Sequence, residues 1–412
     1  MKEKIPILYL DNSFTFGGAI NSLLYLLRAL DKSHFTPILV TAQPEAFLHQ
    51  NFDFIEWKHI NIKLPWVHNQ LYKKITGYKF FSSGFGLRYV RRIRFLYWLL
   101  FVTLPEAARY YRIGRKHKVR LVHLNNMLGG QLAGIIAAKF LSVPCVAHAR
   151  DFEEKGYLAK SYAKLIDLHI AISGDIKKNL LSLSIPEEKI SLIYDAIDLD
   201  DFNSTQSGEY LRQEFSLNKK KKIFGIFGRI IDWKGIKEFI HAAAIVIQSV
   251  ANTSAFIIGD CSDGDNKYFT EVKDLISYYG LEQNIILTGY RRDIPAFMEL
   301  MDIVVHASIR PEPFGMVLIE AMAMGKPVVA TKMGGPLDIV VDSETGFLVD
   351  GGNTEQMAEL IIQLLTNKSL AESMGKKGKQ RINQNFSKER YAQQIEHAYT
   401  TLLQNRPTSK RL

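Results

Sequence analysis

The sequence predicts an α/β protein built from two doubly wound parallel sheets. Short apolar runs rich in β-branched residues alternate with longer amphipathic stretches along the whole chain. This pattern stops at a polar stretch, 203–222, and restarts at IFGIFGR (223–229). Each half also opens with an apolar run, a glycine-containing turn and a helical stretch. At 412 residues two or three domains are expected, and 47% apolar residues can bury their cores. Two cysteines, Cys145 and Cys261, exclude a disulfide scaffold and fit a reducing compartment. The run IPILYL is too short for a signal segment, and no stretch reaches the ~18 apolar residues of a spanning helix. A soluble or membrane-peripheral cytoplasmic protein is expected.

IPILYL (5–10) reads as the first strand, with residues 11–18 as the loop after it. Gly17 and Gly18 open a helix through AINSLLYLLRAL. Strand, glycine turn and helix begin many nucleotide-binding domains. There is no GxGxxG here, and a turn needing φ > 0 explains the glycines equally well. TPILVT (36–41) is the second strand, and 52–66 extends irregularly.

The segment 68–120 breaks the rhythm with interleaved basic and aromatic residues. From Lys73 to Arg120 it holds thirteen Lys and Arg against Glu106, a net +12 beside +10 for the whole chain. One reading is a helix over about 88–117 that packs FLYWLLF inward and solvates its arginines. The other is a patch for an anionic membrane surface or a lipid acceptor. Nucleic acid is not expected, because no nucleic-acid module accompanies the patch. LVHL (121–124) is a strand, 129–141 a helix, and CVAH a strand ending at His148. A histidine there lies where α/β ligand sites form, or is a structural residue bonded to backbone. HIAIS (169–173) and KISLIY (189–194) complete the domain. The lysine run 219–222 reads as part of a solvated linker.

In the second half, IFGIFGR ends in Gly228 and Arg229, and Lys234-Gly235 leads into a helix through Val250. SAFIIGD (254–260), NIILTGY (284–290) and DIVVHAS (302–308) are strands, with a helix over 267–280. Then comes SIRPEPFGMVLIEAMAMGKPVVATKMGG: a loop with Glu312, the turn Pro313-Phe314-Gly315, a helix from Met316 and Val317 through Glu320 to Gly325, and the strand VVAT. A helix starting at a glycine turn aims free N–H groups and a positive dipole end forward. Glu320 lies about two turns beyond Glu312. An anionic ligand flanked by hydroxyls, such as a sugar nucleotide, suits that arrangement. TGFLV (345–349) is hairpin-like, and helices follow at about 353–366, 370–383 and 387–404.

Glu312 and Glu320 with seven residues between them, Phe314-Gly315 inside, and GKPVVAT with Gly334-Gly335 after, resemble the donor-site signature of retaining family 4 glycosyltransferases. The resemblance implies the GT-B fold, two Rossmann-like domains facing a central cleft. It implies an acceptor-side domain (1–205), a nucleotide-sugar domain (206–386) and a last helix (387–412) crossing back. It gives His148 a place near the transferred sugar and lets Gly17 and Gly18 admit the donor phosphates or the acceptor. Glu312 would contact the sugar, Glu320 the ribose, and the backbone of Phe314, Gly315, Met316 and Val317 the sugar and phosphate. Arg229 and Lys234 match the family's GR…KG motif.

Departure of a diphosphate needs a counter-charge. Arg229 and Lys234, five residues apart on one loop, can clamp it. DLD (198–200) and DGD (263–265) read as turns, so no metal or other cofactor is expected. After Gly334-Gly335 the family often has a Glu; here Asp338 stands nearest, one methylene shorter, which bears on nucleotide preference. The expected activity is metal-independent, retaining transfer of a hexose-type sugar to a glycan, lipid-linked or small-molecule acceptor in cell-envelope synthesis. A sugar-nucleotide epimerase, a phosphorylase-like enzyme and a non-catalytic membrane-docked binding protein are the alternatives. The base, the sugar and the acceptor are not readable.

Overall fold

The computed structural model describes residues 4–13, 17–60, 92–126, 131–153, 157–203, 208–261 and 266–405. They form two compact units. The first comprises Met1–Ala171, Lys177–Ser191 and Ala392–Leu412, and the second Ile172–Ile176 and Leu192–Tyr391.

The first unit holds a seven-stranded sheet: β1 (Ile5–Asp11), β2 (Phe35–Thr41), β3 (Glu56–His59), β4 (Leu121–Leu124), β5 (Cys145–Ala149), β6 (Leu168–Ala171) and β7 (Ile190–Leu192). Its order is β3-β2-β1-β4-β5-β6-β7. β1 pairs in parallel with β2 on one side and β4 on the other, so the winding reverses at β1. Ile7 to Leu10 are fully buried. That is why the sequence shows a continuous apolar run here rather than an alternating one: both faces of a parallel sheet are covered.

The second unit repeats the plan with β8 (Lys222–Phe227), β9 (Thr253–Ile258), β10 (Ile285–Leu287), β11 (Ile303–His306), β12 (Val328–Thr331) and β13 (Phe347–Val349). The order is β10-β9-β8-β11-β12-β13, and every pair is parallel. The winding reverses between β8 and β11. The helix Ile236–Ser249 covers one face through Phe239, Ile240, Ala243 and Val246, all fully buried.

Several expectations are corrected. Residues 52–66 are not wholly irregular, since Glu56–His59 pairs with β2. EWKH lacks an apolar pattern because it is an edge strand held by backbone bonds. TGFLV is no hairpin but a parallel edge strand on β12. Part of the supposed linker is a short helix, Glu209–Glu214. After contributing Ile172–Ile176, the chain passes into the second unit again at Leu192 rather than near 206, because 195–203 pack there. Ile197 bridges to Ser387, and Lys388 sits between Asp198 and Asp200 at the DLD turn. DGD (263–265) lies outside the described residues.

The basic segment is described from residue 92 on. Residues 92–98 are helical, Leu99–Thr103 form a π-helical turn, and the helix Leu104–Lys116 continues the run. FLYWLLF does not pack inward as a block. Ile93, Leu96, Tyr97, Leu100, Phe101 and Leu104 are exposed, Phe101 by 67%. Their spacing of three and four residues puts them on one helical face.

The last helix, which ends at Gln404, belongs to the first unit from Ala392 on. There the Tyr399 hydroxyl meets His123 Nδ1 at 2.6 Å and donates to the Tyr9 hydroxyl at 3.2 Å. All three residues are fully buried. Burial, helped by Arg150, lowers the His123 pKa to about 3, so the imidazole is neutral at physiological pH. Tyr399→Phe leaves Nδ1 in the core without that partner. It is expected to cost about 1–3 kcal/mol, read as a lower Tm in thermal unfolding; an unchanged Tm would show that the hydroxyl contributes nothing.

Candidate active site

The carboxyl ends of β8 and β11 flank the reversal point of the second sheet, where ligands bind in open α/β sheets. The loop after β8 carries Arg229 and Lys234, and the loop after β11 carries Ser308 and Glu312. Backbone contacts zip the loops together. Ile309 donates its N–H to the Trp233 carbonyl at 2.9 Å, and Gly335 donates to the Glu312 carbonyl at 2.8 Å. Gly235 has φ +71°, and a Cβ there would lie 1.8 Å from the Ala307 carbonyl oxygen. A Cβ on Gly335 would lie 1.9 Å from the Phe314 carbonyl oxygen. Both glycines are therefore required by close backbone approach.

The Lys234 ammonium donates to Glu312 Oε2 at 2.6 Å, with side chains only 19% and 13% exposed. Ser308 Oγ donates to the same oxygen at 3.2 Å, and His306 Nε2 lies 3.4 Å from it. Burial pushes the Glu312 carboxyl up, but the Lys234 charge and the His306 hydrogen bond outweigh burial and hold it at about 2. Glu312 is thus an anion at any physiological pH. The Lys234 ammonium also lies 4.5 Å from the centre of the Trp233 ring.

Gly315 (φ +114°) caps the helix Met316–Ala323. Phe314 is a buried anchor beside Tyr194 and Phe386, so what it presents to the loop is backbone. Met316 and Val317 are half-buried in the first turn. Glu320 is the fifth residue of this short helix, one turn from its start rather than two. No hydrogen bond or ion pair joins its carboxylate to another described residue. Desolvation pushes its carboxyl up to about 7.

The sequence-derived site residues are thus partly gathered. Lys234 and Glu312 touch directly, and Glu320 lies on the helix that Glu312 precedes. Arg229 is exposed on the Lys234 loop and pairs with no described residue. Asp338 is engaged otherwise: its carboxylate accepts the Gly174 N–H at 2.8 Å and the Tyr194 hydroxyl at 3.3 Å. Each carboxylate oxygen thus accepts from one protein group.

Gly17, Gly18 and His148 belong to the first unit. Gly17 is extended (φ −176°), and a Cβ on it would meet nothing within 4 Å. The need for positive φ is therefore not why glycine stands there. His148 does not end its strand; β5 runs to Ala149. It is 0% exposed, its ring 5.4 Å from that of His123, with Arg150 at 3.4 Å from Nδ1. Burial first, then Arg150 and His123, keep it neutral. At this sheet edge the sequence reading missed a buried polar chain. Arg150 Nε donates to Asn125 Oδ1 at 3.1 Å, and Asn125 donates to Asp11 at 3.1 Å. Thr41 donates to Asp11 as well, at 3.0 Å.

His306, Ser308 and Thr331 were also missed. The signal was available: polar residues at 306 and 308 alternate at the end of the apolar run DIVV, which puts both on one side.

Residues 208–381 match the model described as Glycosyl transferases group 1, and 16–201 match Glycosyltransferase Family 4. The chain is 30% identical to the capsular polysaccharide biosynthesis glycosyltransferase CapM of Staphylococcus aureus, over 74% of this chain and 82% of that one. It is 24% identical to the N-acetyl-alpha-D-glucosaminyl L-malate synthase of Bacillus anthracis, over 74% and 81%. Among solved structures it resembles HepE of Anabaena in complex with UDP-glucose, with TM-score 0.77, 24% identity, and 96% and 100% of the chains covered. The chain belongs to the group 1 glycosyltransferases, with the two-domain GT-B fold, and is a transferase rather than an epimerase or a binding protein without activity.

The Glu320 carboxyl has a folded-state pKa above its unfolded value of 4.5. The stability it contributes is fully present below 4.5 and is lost as pH rises through about 7. Glu320→Gln should therefore raise the Tm by several degrees at pH 8 and change it little at pH 4.5. Equal shifts at both pH values would show that the carboxylate is not desolvated in the folded protein.

Proposed function

We propose that the protein transfers a hexose-type sugar from a nucleoside diphosphate to a hydroxyl acceptor, with retention of anomeric configuration and without a metal. The Lys234–Glu312 pair at the mouth of the helix Met316–Ala323 carries this reading. Lys234, the exposed Arg229 and the helix N-terminus put positive charge where the diphosphate would depart. Glu312 Oε1 is free of hydrogen bonds to described residues and can accept from sugar hydroxyls. Glu320 gains the donors it lacks when ribose hydroxyls reach it.

In the reaction the anomeric carbon–oxygen bond to the diphosphate breaks and a bond to the acceptor oxygen forms on the same face. The acceptor proton leaves with the diphosphate. UDP is the first base to test, because HepE of Anabaena is described in complex with UDP-glucose. Likeness to CapM favours a cell-envelope glycan or a lipid-linked acceptor. Glu312→Ala and Lys234→Ala should each lower transfer by ~100-fold or more without lowering the Tm enough to unfold the protein, and EDTA should leave turnover unchanged. Turnover near normal in either variant, or loss on EDTA that Mg²⁺ restores, would overturn the assignment.

A peripheral site on an anionic membrane, facing the cytoplasm, belongs to the same proposal. The exposed apolar face from Ile93 to Leu104 lies on one helical run with exposed Arg92, Arg109, Arg112 and Arg115. Apolar contact plus like-signed basic charge is what an anionic lipid surface complements. Among the described residues no helix is long and apolar enough to cross a membrane. Binding to phosphatidylglycerol vesicles should fall steeply with salt and drop when Leu100 and Phe101 are both changed to Ser; salt-independent binding, or none, would sink it.

A further inference from the structure

Every hydrogen bond from a described residue to the Glu312 carboxylate lands on one oxygen. Lys234 Nζ, Ser308 Oγ and His306 Nε2 all approach Oε2, at 2.6, 3.2 and 3.4 Å. Lys234 is the charge partner and, in the proposed reaction, part of the diphosphate clamp. The other two groups have no such second task. His306 ends β11 and Thr331 ends β12, the neighbouring strand, and Thr331 Oγ1 lies 3.3 Å from His306 Nδ1. Ser308 Oγ is 3.2 Å from His306 Nε2. His306, Ser308 and Thr331 are all buried.

The proton positions follow from the chemistry of the groups. An ionised carboxylate only accepts, so in a neutral His306 the proton facing it is on Nε2. Nδ1 then carries a lone pair, and the Thr331 hydroxyl donates to it. Thr331 fixes the tautomer and ring orientation of His306, and His306 fixes the carboxylate. This is the orienting logic by which a third group sets a histidine for its task.

We propose that His306, keyed by Thr331, is a positioning residue for the transfer: it anchors Glu312 through Oε2 so that Oε1 stays turned toward the donor sugar. The inference rests on the reading that Glu312 contacts the donor. It adds that the contact depends on a histidine that itself touches no substrate. When Lys234 turns to a bound diphosphate, His306 and Ser308 are the groups that keep Oε2 in place.

Steady-state kinetics with the full chain and UDP-glucose, or whichever sugar nucleotide supports turnover, tests it with five variants. His306→Ala should lower kcat by ~10–100-fold and move KM for the donor only a few-fold. His306→Gln keeps an N–H near the Nε2 position and should recover most of that loss. Thr331→Val keeps volume and removes only the hydroxyl; it should lower kcat several-fold, and it serves as the test if His306→Ala does not fold. In a Glu312→Ala background, His306→Ala should cost nothing further, because its whole effect passes through Glu312.

Additive losses in the double variant, equal losses for Gln and Ala at 306, or wild-type kcat in Thr331→Val would overturn the positioning role while leaving Glu312 in place. Normal turnover in Glu312→Ala alone would instead overturn the donor-contact reading, and the positioning role with it.

Discussion

The contact between the Lys234 ammonium and Glu312 Oε2 is the constraint around which the second unit's loops are arranged. Two ions this poorly solvated must be each other's partner, since losing one would strand the other in a low-dielectric site. Holding them together requires loops from two different strands to meet within hydrogen-bond distance. The backbone does that work. The Trp233 carbonyl accepts from Ile309, Gly235 fits beneath the Ala307 carbonyl, and Gly335 donates to the Glu312 carbonyl. The ion pair is thus set by a backbone frame that exists before any ligand arrives.

The two sheets share a winding plan yet treat their carboxyl edges differently. At the second unit's edge the charged groups are partly open, and the side chains of Arg229 and Glu320 have no hydrogen-bond or ion-pair partner among the described residues. At the first unit's edge Asp11, Asn125 and Arg150 bond to one another, and His123 and His148 are buried neutral. CapM is named for capsular polysaccharide and the Bacillus anthracis enzyme for L-malate, so two proteins each similar to 74% of this chain are named for different products.

The helical run from residue 92 shows how composition can mislead about direction. FLYWLLF suits a core, and an inward-facing helix was the simpler expectation. The spacing of Ile93, Leu96, Tyr97, Leu100, Phe101 and Leu104 does make one stripe, as a helix requires. Periodicity says that the residues share a face. It does not say whether protein or solvent lies opposite, because that depends on which other elements reach the helix.

Much of the architecture was written locally. Continuous apolar runs such as ILYL and IVV follow from strands covered on both faces, and glycine turns mark where those strands hand over to helices. The spacing of Glu312, Phe314-Gly315 and Glu320 is also a local property, since one loop and one helix carry it. Edge strands were the weak point, because EWKH is held by backbone pairing and leaves no apolar trace. What only the tertiary structure decided is which groups face each other across strands. Lys234 and Glu312 are 78 residues apart in the chain, and Thr331 and His306 are 25 apart. Their contacts depend on β8, β11 and β12 lying side by side. A sequence names such side chains, but hydrogen bonds that act over three ångströms form only after sheet order has placed them.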